Sequence, residues 1–343
     1  MIQACGRPRD IVRHHAVASC ATLALVAISV AAGCGGERRP SPPAPSGVMS
    51  PVAQAYLNEL IAVMEAHSVN RLKIDWNSFR TGVMSAAGGA QSVASTFPAI
   101  QLALTLLGDS HSFYQPLMGL RIAGTRRACI GQGAGMPTLP GTVGYVKVGA
   151  FSGSEAEATA FANAIQRAIA STDRDGLAGW IVDVRGNTGG NMWPMIAGVG
   201  PVLGEGRAGY FIDPVGVESF WEYRDGASWE NGALAQRVSA PYRLRRDSPK
   251  VAVLIDGGTA SSGEAVLIAF QRRPDTRSFG VATCGLSTSN EQYLMSDGAS
   301  LFLTNAVMAD RTKFQYGGPI VPDEELRDPR ETEQRAVTWL QTK

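Results

Sequence analysis

Asp256-Gly-Gly-Thr-Ala-Ser-Ser-Gly-Glu264 lies between two apolar runs, Lys250-Val-Ala-Val-Leu-Ile255 before it and Ala265-Val-Leu-Ile-Ala-Phe270 after it. The first run reads as a strand and the second as a helix, so the glycines and serines fill a strand-to-helix turn. Placed there, Ser261 would be an exposed nucleophile at a helix N-terminus, beside first-turn N–H groups able to hold an oxyanion. The structural alternative is an ordinary Ser N-cap with Glu264 in a capping box. A partner base decides between them.

Upstream, Val143-Gly-Tyr-Val-Lys-Val-Gly-Ala-Phe151 reads as a strand, Ser154 to Ser171 as a helix and Gly179-Trp-Ile-Val-Asp-Val-Arg185 as a buried strand. Strand alternating with helix predicts an α/β fold built from β-α-β units. The turn Gly186-Asn-Thr-Gly-Gly190 follows, and its glycines let backbone approach a ligand before a helix opens near Asn191. Residues 207–248 read as short strands and loops. Downstream lie the strand Ser278-Phe-Gly-Val-Ala-Thr283, a hairpin from Glu291 to Ala309 around Ser296-Asp-Gly298, and a terminal helix from Glu331 to Leu340.

At the front, Val52, Tyr56, Leu57, Leu60, Ile61 and Met64 recur at helical spacing, a second helix starts at Asp75, and Thr96 to Leu107 forms a third, capped by Gly108. These three make a helical lid or bundle. Before them, Arg7, Arg9 and Arg13 precede an uncharged run from Ala16 to Ala32 that ends in Ala-Gly-Cys34, the layout of a secretory signal. A Cys directly after small residues resembles the lipobox of bacterial lipoproteins, which makes Cys34 the lipid anchor; a simply cleaved signal or an uncleaved anchor are the alternatives. Gly35 lacks the Asp that resembles an inner-membrane retention signal, so in a two-membrane host the expected site is the outer membrane facing the periplasm. Expected domains are a signal at 1–33, a lipidated Cys and Pro/Ser-rich flexible tether at 34–49, a helical subdomain at 50–108 and a core at 109–343.

The chain has 343 residues, with 31 basic and 30 acidic. Loss of residues 1–33 would leave 28 against 29, near neutral, and neither charge nor motif points to nucleic acid. Of five cysteines only Cys129 and Cys284 remain to pair, and a bridge and two free thiols stand as equal alternatives. Processing leaves His67 and His111 as the only histidines. With no Cys-x-x-Cys and no ligand spacing for zinc, no metal or cofactor is expected.

A serine needs a base within hydrogen-bond reach. His111 is the candidate, in the polar loop Leu107-Gly-Asp-Ser-His-Ser-Phe113 after the capped third helix; a satisfied surface or core histidine is the alternative, which fits His67 better. With these residues in place, the chain resembles the S41 serine peptidases, the carboxyl-terminal processing and tail-specific protease group. It is most similar to histidine-using branches of the tricorn and nisin-resistance type. Four motifs in order carry the resemblance: Gly108-Asp-Ser-His-Ser112, Asp183-Val-Arg-Gly-Asn-Thr-Gly-Gly190, Thr259-Ala-Ser-Ser-Gly-Glu264 and Gly317-Gly-Pro-Ile-Val-Pro-Asp323.

The resemblance implies a ClpP/crotonase-like β-α-β superhelical core, Ser261 as nucleophile, and an oxyanion hole from the N–H groups of Gly190 and Ser262. The base lysine of the processing branch would fall at Leu286, which cannot accept a proton. That excludes a Ser-Lys dyad unless Lys250, Lys313 or another lysine reaches in, and leaves a Ser-His pair similar to Ser110-His111. Only about thirty residues separate His111 from Val143, too few for the PDZ domain found there in processing proteases. Glu264, Ser110 and a residue near Gln315 or Tyr316 are candidates for the group that orients the imidazole, and Asp183 and Arg185 are expected to fix the turn. The expected function is an envelope-anchored serine peptidase acting on peptide or protein substrates, near C-terminal tails. The alternatives are a non-catalytic ligand- or peptide-binding protein on the same fold, and resistance to an antimicrobial peptide by cutting its tail.

Overall fold

The computed structural model describes residues 47–133 and 135–342, so the signal, Cys34 and most of the expected tether lie outside the described residues. Residues 44–343 form one compact unit. Three helices lead it: α1 (Pro51–His67), α2 (Trp76–Ala86) and α3 (Phe97–Leu106). Ser50 caps α1 through Ala53 N and Asp75 caps α2 through Asn77 N and Ser78 N, as the periodicity and the Asp at 75 predict. The apolar stripe of α1 (Tyr56, Leu57, Leu60, Ile61, Met64) packs with Ile100 and Leu104 of α3.

Next come β1 (Phe113–Gln115), β2 (Ile122–Ala123), β3 (Val143–Lys147), α4 (Glu155–Thr172), β4 (Gly179–Asp183) and α5 (Met192–Leu203). Four strands follow, β5 (Gly206–Ile212), β6 (Glu218–Arg224), β7 (Ala227–Glu230) and β8 (Ala233–Arg237), and then β9 (Val251–Ile255), α6 (Ser262–Phe270) and β10 (Thr276–Gly280). The chain closes with β11 (Thr288–Leu294), β12 (Ser300–Asp310), β13 (Glu324–Glu325) and α7 (Pro329–Gln341).

Five parallel strands in the order β13-β10-β9-β4-β3 form one sheet. Its two central strands, β4 and β9, are buried at every residue, which is why they read as unbroken apolar runs rather than alternating ones. Residues of α5 and α6 cover one face, with Met195, Ile196, Val266 and Phe270 in the same cluster as Val182 and Val253. The terminal helix covers the other through Ala336 and Leu340. The remaining strands form an antiparallel sheet in the order β2-β1-β12-β5-β6-β7-β8, with β11 also on β12. Residues 207–248 hold a four-stranded meander more regular than the short strands expected there. Only part of it alternates cleanly, as in Trp221-Glu-Tyr-Arg224 of β6, where buried aromatics interleave with outward charged side chains because one face alone is covered.

Candidate active site

The turn after β9 puts Ser261 at φ 52° and ψ −117°, a backbone state that costs a residue with a Cβ about 1–3 kcal/mol and persists only when its surroundings impose it. The surroundings are dense. Ser261 N donates to Glu264 Oε2 at 2.9 Å, Ala265 N to Ser261 O at 3.0 Å, and Ala260 N to Asn187 O at 2.9 Å across to the neighbouring turn. Gly189 lies so close that a Cβ on it would stand 2.7 Å from Ser261 Cβ, which excludes any side chain at that position. Half-buried Ser261 forms a capping box with Glu264, its Oγ facing Glu264 N while Glu264 receives Ser261 N, and the Ser261 hydroxyl proton has no acceptor among the described residues, whereas Ser262 Oγ donates to Gly190 O at 2.6 Å. Of the two adjacent serines, one keeps its hydroxyl proton free and the other spends it on the neighbouring turn.

Gly190 has φ 108° and meets Phe151 so closely that a Cβ would lie 1.9 Å from Phe151 O. Its N–H and that of Ser262 find no acceptor among the described residues, so two donors flank the Ser261 turn. Asp256 stitches this region together: its carboxylate accepts from Gly186 N (2.8 Å), Gly258 N (2.9 Å) and Gln132 N (2.8 Å). Asp183 and Arg185 are buried in a two-pronged ion pair at 3.0 and 2.7 Å, and Arg185 continues to Glu333 at 2.9 Å. Burial works against the charged Asp183, but the hydrogen bonds from Arg185 and the Lys147 charge hold its carboxyl below the ordinary range. Both residues brace the turn, as expected.

His111 is held from another direction. Asp109 Oδ1 accepts from His111 N (2.9 Å) and Ser112 N (2.6 Å), closing an Asx turn, and Asn290 Nδ2 donates to His111 O at 2.9 Å. The ring Nδ1 is 2.8 Å from Thr288 Oγ1. Burial pulls the imidazole down to about 4 against the Asp109 charge, which pulls it up, so the ring is neutral at neutral pH. With Nδ1 on Thr288, Nε2 is the nitrogen left for proton transfer. No hydrogen bond joins His111 to Ser261. His111 and Ser110 line a cavity of about 590 Å³ together with Leu286, Thr288, Lys73 and Arg127, and the loop after α1 is tied to the turn after β5 at its wall by Arg71–Asp213 (2.7 Å).

The other candidate residues make contacts of their own away from His111. Glu264 is not bonded to His111: its buried carboxylate accepts from Thr283 Oγ1, Gly285 N (2.9 Å), Leu286 N (2.7 Å) and Ser261 N (2.9 Å), which fills its acceptor positions. Burial pushes its carboxyl up while these four donors oppose the shift. Tyr316 donates to Asp310 at 2.9 Å, and Gln315 lines the cavity. Lys250 donates to Trp339 O and Thr342 O, and Lys313 pairs with Glu218 at 2.7 Å, so neither reaches the turn. His67 stacks on Tyr293 with ring centroids 4.8 Å apart. Cys129 and Cys284 form a disulfide with Cα atoms 5.1 Å apart, which resolves the open alternative in favour of the bridge. Thr288 is the residue that sequence reasoning missed, since a threonine 177 positions from His111 carries no local signal.

A serine forced to positive φ with a free hydroxyl proton, two unpaired amides beside it, and a neutral histidine lining a cavity that reaches Gly285 and Leu286 but not Ser261 itself are groups of the kind a serine hydrolase uses. Residues 142–326 match peptidase family S41, and the chain belongs to that family. It is a serine-type peptidase whose substrates are peptides or proteins. The chain is 24% identical to the nisin-resistance protein of Lactococcus lactis subsp. lactis, over 86% of this chain and 89% of that one. It is 27% identical to the carboxy-terminal processing protease CtpA of Bacillus subtilis (strain 168), over 48% of this chain but only 30% of that one. Among solved structures, a lipoprotein from Streptococcus agalactiae matches with TM-score 0.65 at 21% identity, covering 85% of this chain and 97% of the other. The photosystem II D1 C-terminal processing protease matches with TM-score 0.55 at 16% identity, covering 84% and 97%. These two likenesses bear on the fold alone.

Proposed function

We propose that the chain is an envelope-anchored serine peptidase in which Ser261 is the nucleophile and His111 the general base. The observation that carries this reading is the Ser261 turn itself, a strained serine whose hydroxyl proton is free between Gly189 and the unpaired amides of Gly190 and Ser262. His111 Nε2 takes the Oγ proton as Oγ attacks the substrate carbonyl. The oxyanion settles on the two amides, each worth about 3–4 kcal/mol of barrier. The imidazolium then protonates the leaving amine, and water attacks the acyl-enzyme with His111 again as base. Thr288 accepts Nδ1–H and fixes the tautomer, while Glu264 holds the Ser261 amide. Catalytic hydrogen bonds in ligand-free enzymes are often long and tighten on substrate, so the Ser261–His111 bond forms in the complex.

In this reading residues 1–33 are a removed signal, Cys34 carries lipid, 34–49 tether the body, and the helices of 50–108 form a lid on the core of 109–343. Gly35 favours the outer membrane in a two-membrane host. Substrates are cut near their C-terminal tails, and the nisin-resistance relative supports an antimicrobial peptide as one substrate class. A fluorophosphonate probe tests the site. Wild type labels at Ser261, Ser261→Ala does not, and His111→Ala labels far more slowly; equal labelling or equal peptide cleavage by Ser261→Ala would end the reading. Incorporation of labelled palmitate, lost in Cys34→Ala, tests the anchor.

A further inference from the structure

The loop between β1 and β2, Pro116-Leu-Met-Gly-Leu-Arg121, carries three large apolar side chains in the open: Leu117 is 71% exposed, Met118 86% and Leu120 90%. A fourth, Leu294 at 73%, ends β11 beside them, since Leu294 and Gln115 both pair with Ser300. Leu117 leans on the β11–β12 turn, 3.4 Å from where a Cβ on Gly298 would stand. Single exposed leucines are ordinary, but a cluster at one loop tip marks a contact surface. The loop is shaped rather than loose: Gln115 Nε2 donates to Pro116 O at 3.2 Å, and Gly119 takes φ 109°.

The position of this tip indicates its occupant. Helix α1 runs along β11 and β12 with its C-terminal end at the cavity, where Val69 N donates to Thr304 O at 2.7 Å. Glu59 lies at the far turn, bonded to Ser296 N at 2.9 Å, and the nine residues back to Ser50 carry the helix roughly 14 Å further. The chain therefore leaves toward Cys34 at the end of the molecule that bears the apolar tip, opposite the His111 cavity. Val48 (90% exposed) and Val52 (63%) add apolar surface at that exit. Twelve residues lie between Cys34 and Gly47, thirteen steps along the chain, which bounds the distance to the anchor at roughly 45 Å. Two arginines flank the tip, Arg121 with its guanidinium 3.8 Å over the Phe113 ring and Arg126 bonded to Arg121 O. The carboxylates at this end, Glu59 and Asp297, are engaged with Ser296 and with Tyr56 and Ala299.

We propose that the Leu117–Leu120 loop, with Leu294, is a membrane-docking surface that enters the headgroup layer of the bilayer holding Cys34. Apolar side chains bury at the acyl boundary while Arg121 and Arg126 meet anionic headgroups. Docked this way, the body stands with its cavity turned away from the membrane. The proposal rests on the reading of Cys34 as the anchor, and its test is built to fail separately from that reading.

Because residues 44–343 form one compact unit, the chain from Gly35 to Lys343 with a histidine tag in place of Cys34 can be held on nickel-chelating vesicles of equimolar phosphatidylethanolamine and phosphatidylglycerol. An environment-sensitive fluorophore on Met118→Cys is expected to shift to the blue on tethering and to be quenched by spin-labelled lipid. The same probe on Val215→Cys, at the cavity end, is expected to show neither change. Combining Leu117→Ser, Met118→Ser and Leu120→Ser should lower the embedded fraction reported by a probe on Leu294→Cys about tenfold, with peptide hydrolysis in solution unchanged. No shift at position 118, equal shifts at 118 and 215, or self-association in solution that the triple variant abolishes would overturn the proposal, the last assigning the tip to a second copy. If palmitate fails to label Cys34 while the shift at 118 persists, the anchor reading falls and the docking surface stands.

Discussion

The turn that carries Ser261 and the loop that carries His111 are held by different means. Ser261 is fixed inside the parallel-sheet layer by bonds that leave little slack: Glu264 on its amide, Asn187 on Ala260, Asp256 across to Gly186, and Gly189 packed against its Cβ. His111 belongs to the antiparallel sheet, through Thr288 and Asn290 of β11 and the Asp109 turn. The proposed nucleophile is set by its immediate chain neighbourhood and the proposed base by a strand far away in sequence. What joins the halves is the connection from β10 to β11. It donates Gly285 N and Leu286 N to Glu264 near its middle and delivers Thr288 to His111 at its end, and the Cys129–Cys284 bridge ties it to the segment after β2.

The comparison breaks most severely if either half is dispensable. Ser261→Ala and His111→Ala are each expected to lower kcat at least on the order of 10⁴-fold, and the double variant should be little worse than either single, because the two act as one unit. Substantial turnover by His111→Ala in steady-state peptide cleavage would remove the base from the antiparallel half.

Next in size is the joint between the halves. Glu264→Gln replaces an acceptor of four donors with an amide that brings donors of its own, leaving at least one buried N–H unpaired at about 1–3 kcal/mol. Denaturant unfolding should report that loss. The shift it allows between Ser261 and Thr288 should cost kcat on the order of 10²-fold with a smaller change in KM. Wild-type kcat in Glu264→Gln would show that the nucleophile turn stands without the joint.

How much of this was legible follows the same division. The nucleophile turn could be read because its chemistry is local: nine residues, a strand before and a helix after. The choice between Ser261 and Ser262 rests on a hydroxyl bonded to Gly190, 72 positions away, which no spacing rule reports. Thr288 was invisible for the same reason, and Glu264 stays open in the sequence between a helix cap and an imidazole partner, because its donors at Thr283, Gly285 and Leu286 lie about twenty positions away. The parallel strands announced themselves as apolar runs, while the half-covered meander of β5 to β8 alternates too irregularly to be drawn from pattern alone.

The bridge between the segment after β2 and the joint should matter less to chemistry than to stability. Replacing both Cys129 and Cys284 with Ala is expected to cost about 2–4 kcal/mol in chemical unfolding, since the closed loop is long. Turnover below the melting range should fall only a few-fold, as Glu264 still holds Gly285 and Leu286. A loss of activity as deep as that of Glu264→Gln would make the bridge part of the joint itself.

The smallest expected effect is the most specific to the base half. His111 is lowered from 6.5 to about 4 by burial, so the folded protein keeps it neutral where the unfolded chain takes up a proton. Two consequences have definite signs. Activity should rise with pH through about 4 and then hold level to neutrality, and the His111 contribution to stability should be intact above 6.5 and lost as pH falls toward 4. Thr288→Val removes the hydroxyl at Nδ1 while keeping the side chain's volume. It should lower kcat by about tenfold, the worth of one hydrogen bond in the transition state, and move the acid limb further down because the imidazolium loses an acceptor. Thr288→Ser keeps the oxygen and should restore both. A uniform loss of folded protein in Thr288→Val, with an unmoved acid limb and no rescue by serine, would reduce Thr288 to packing and leave the tautomer of His111 to be set by something else.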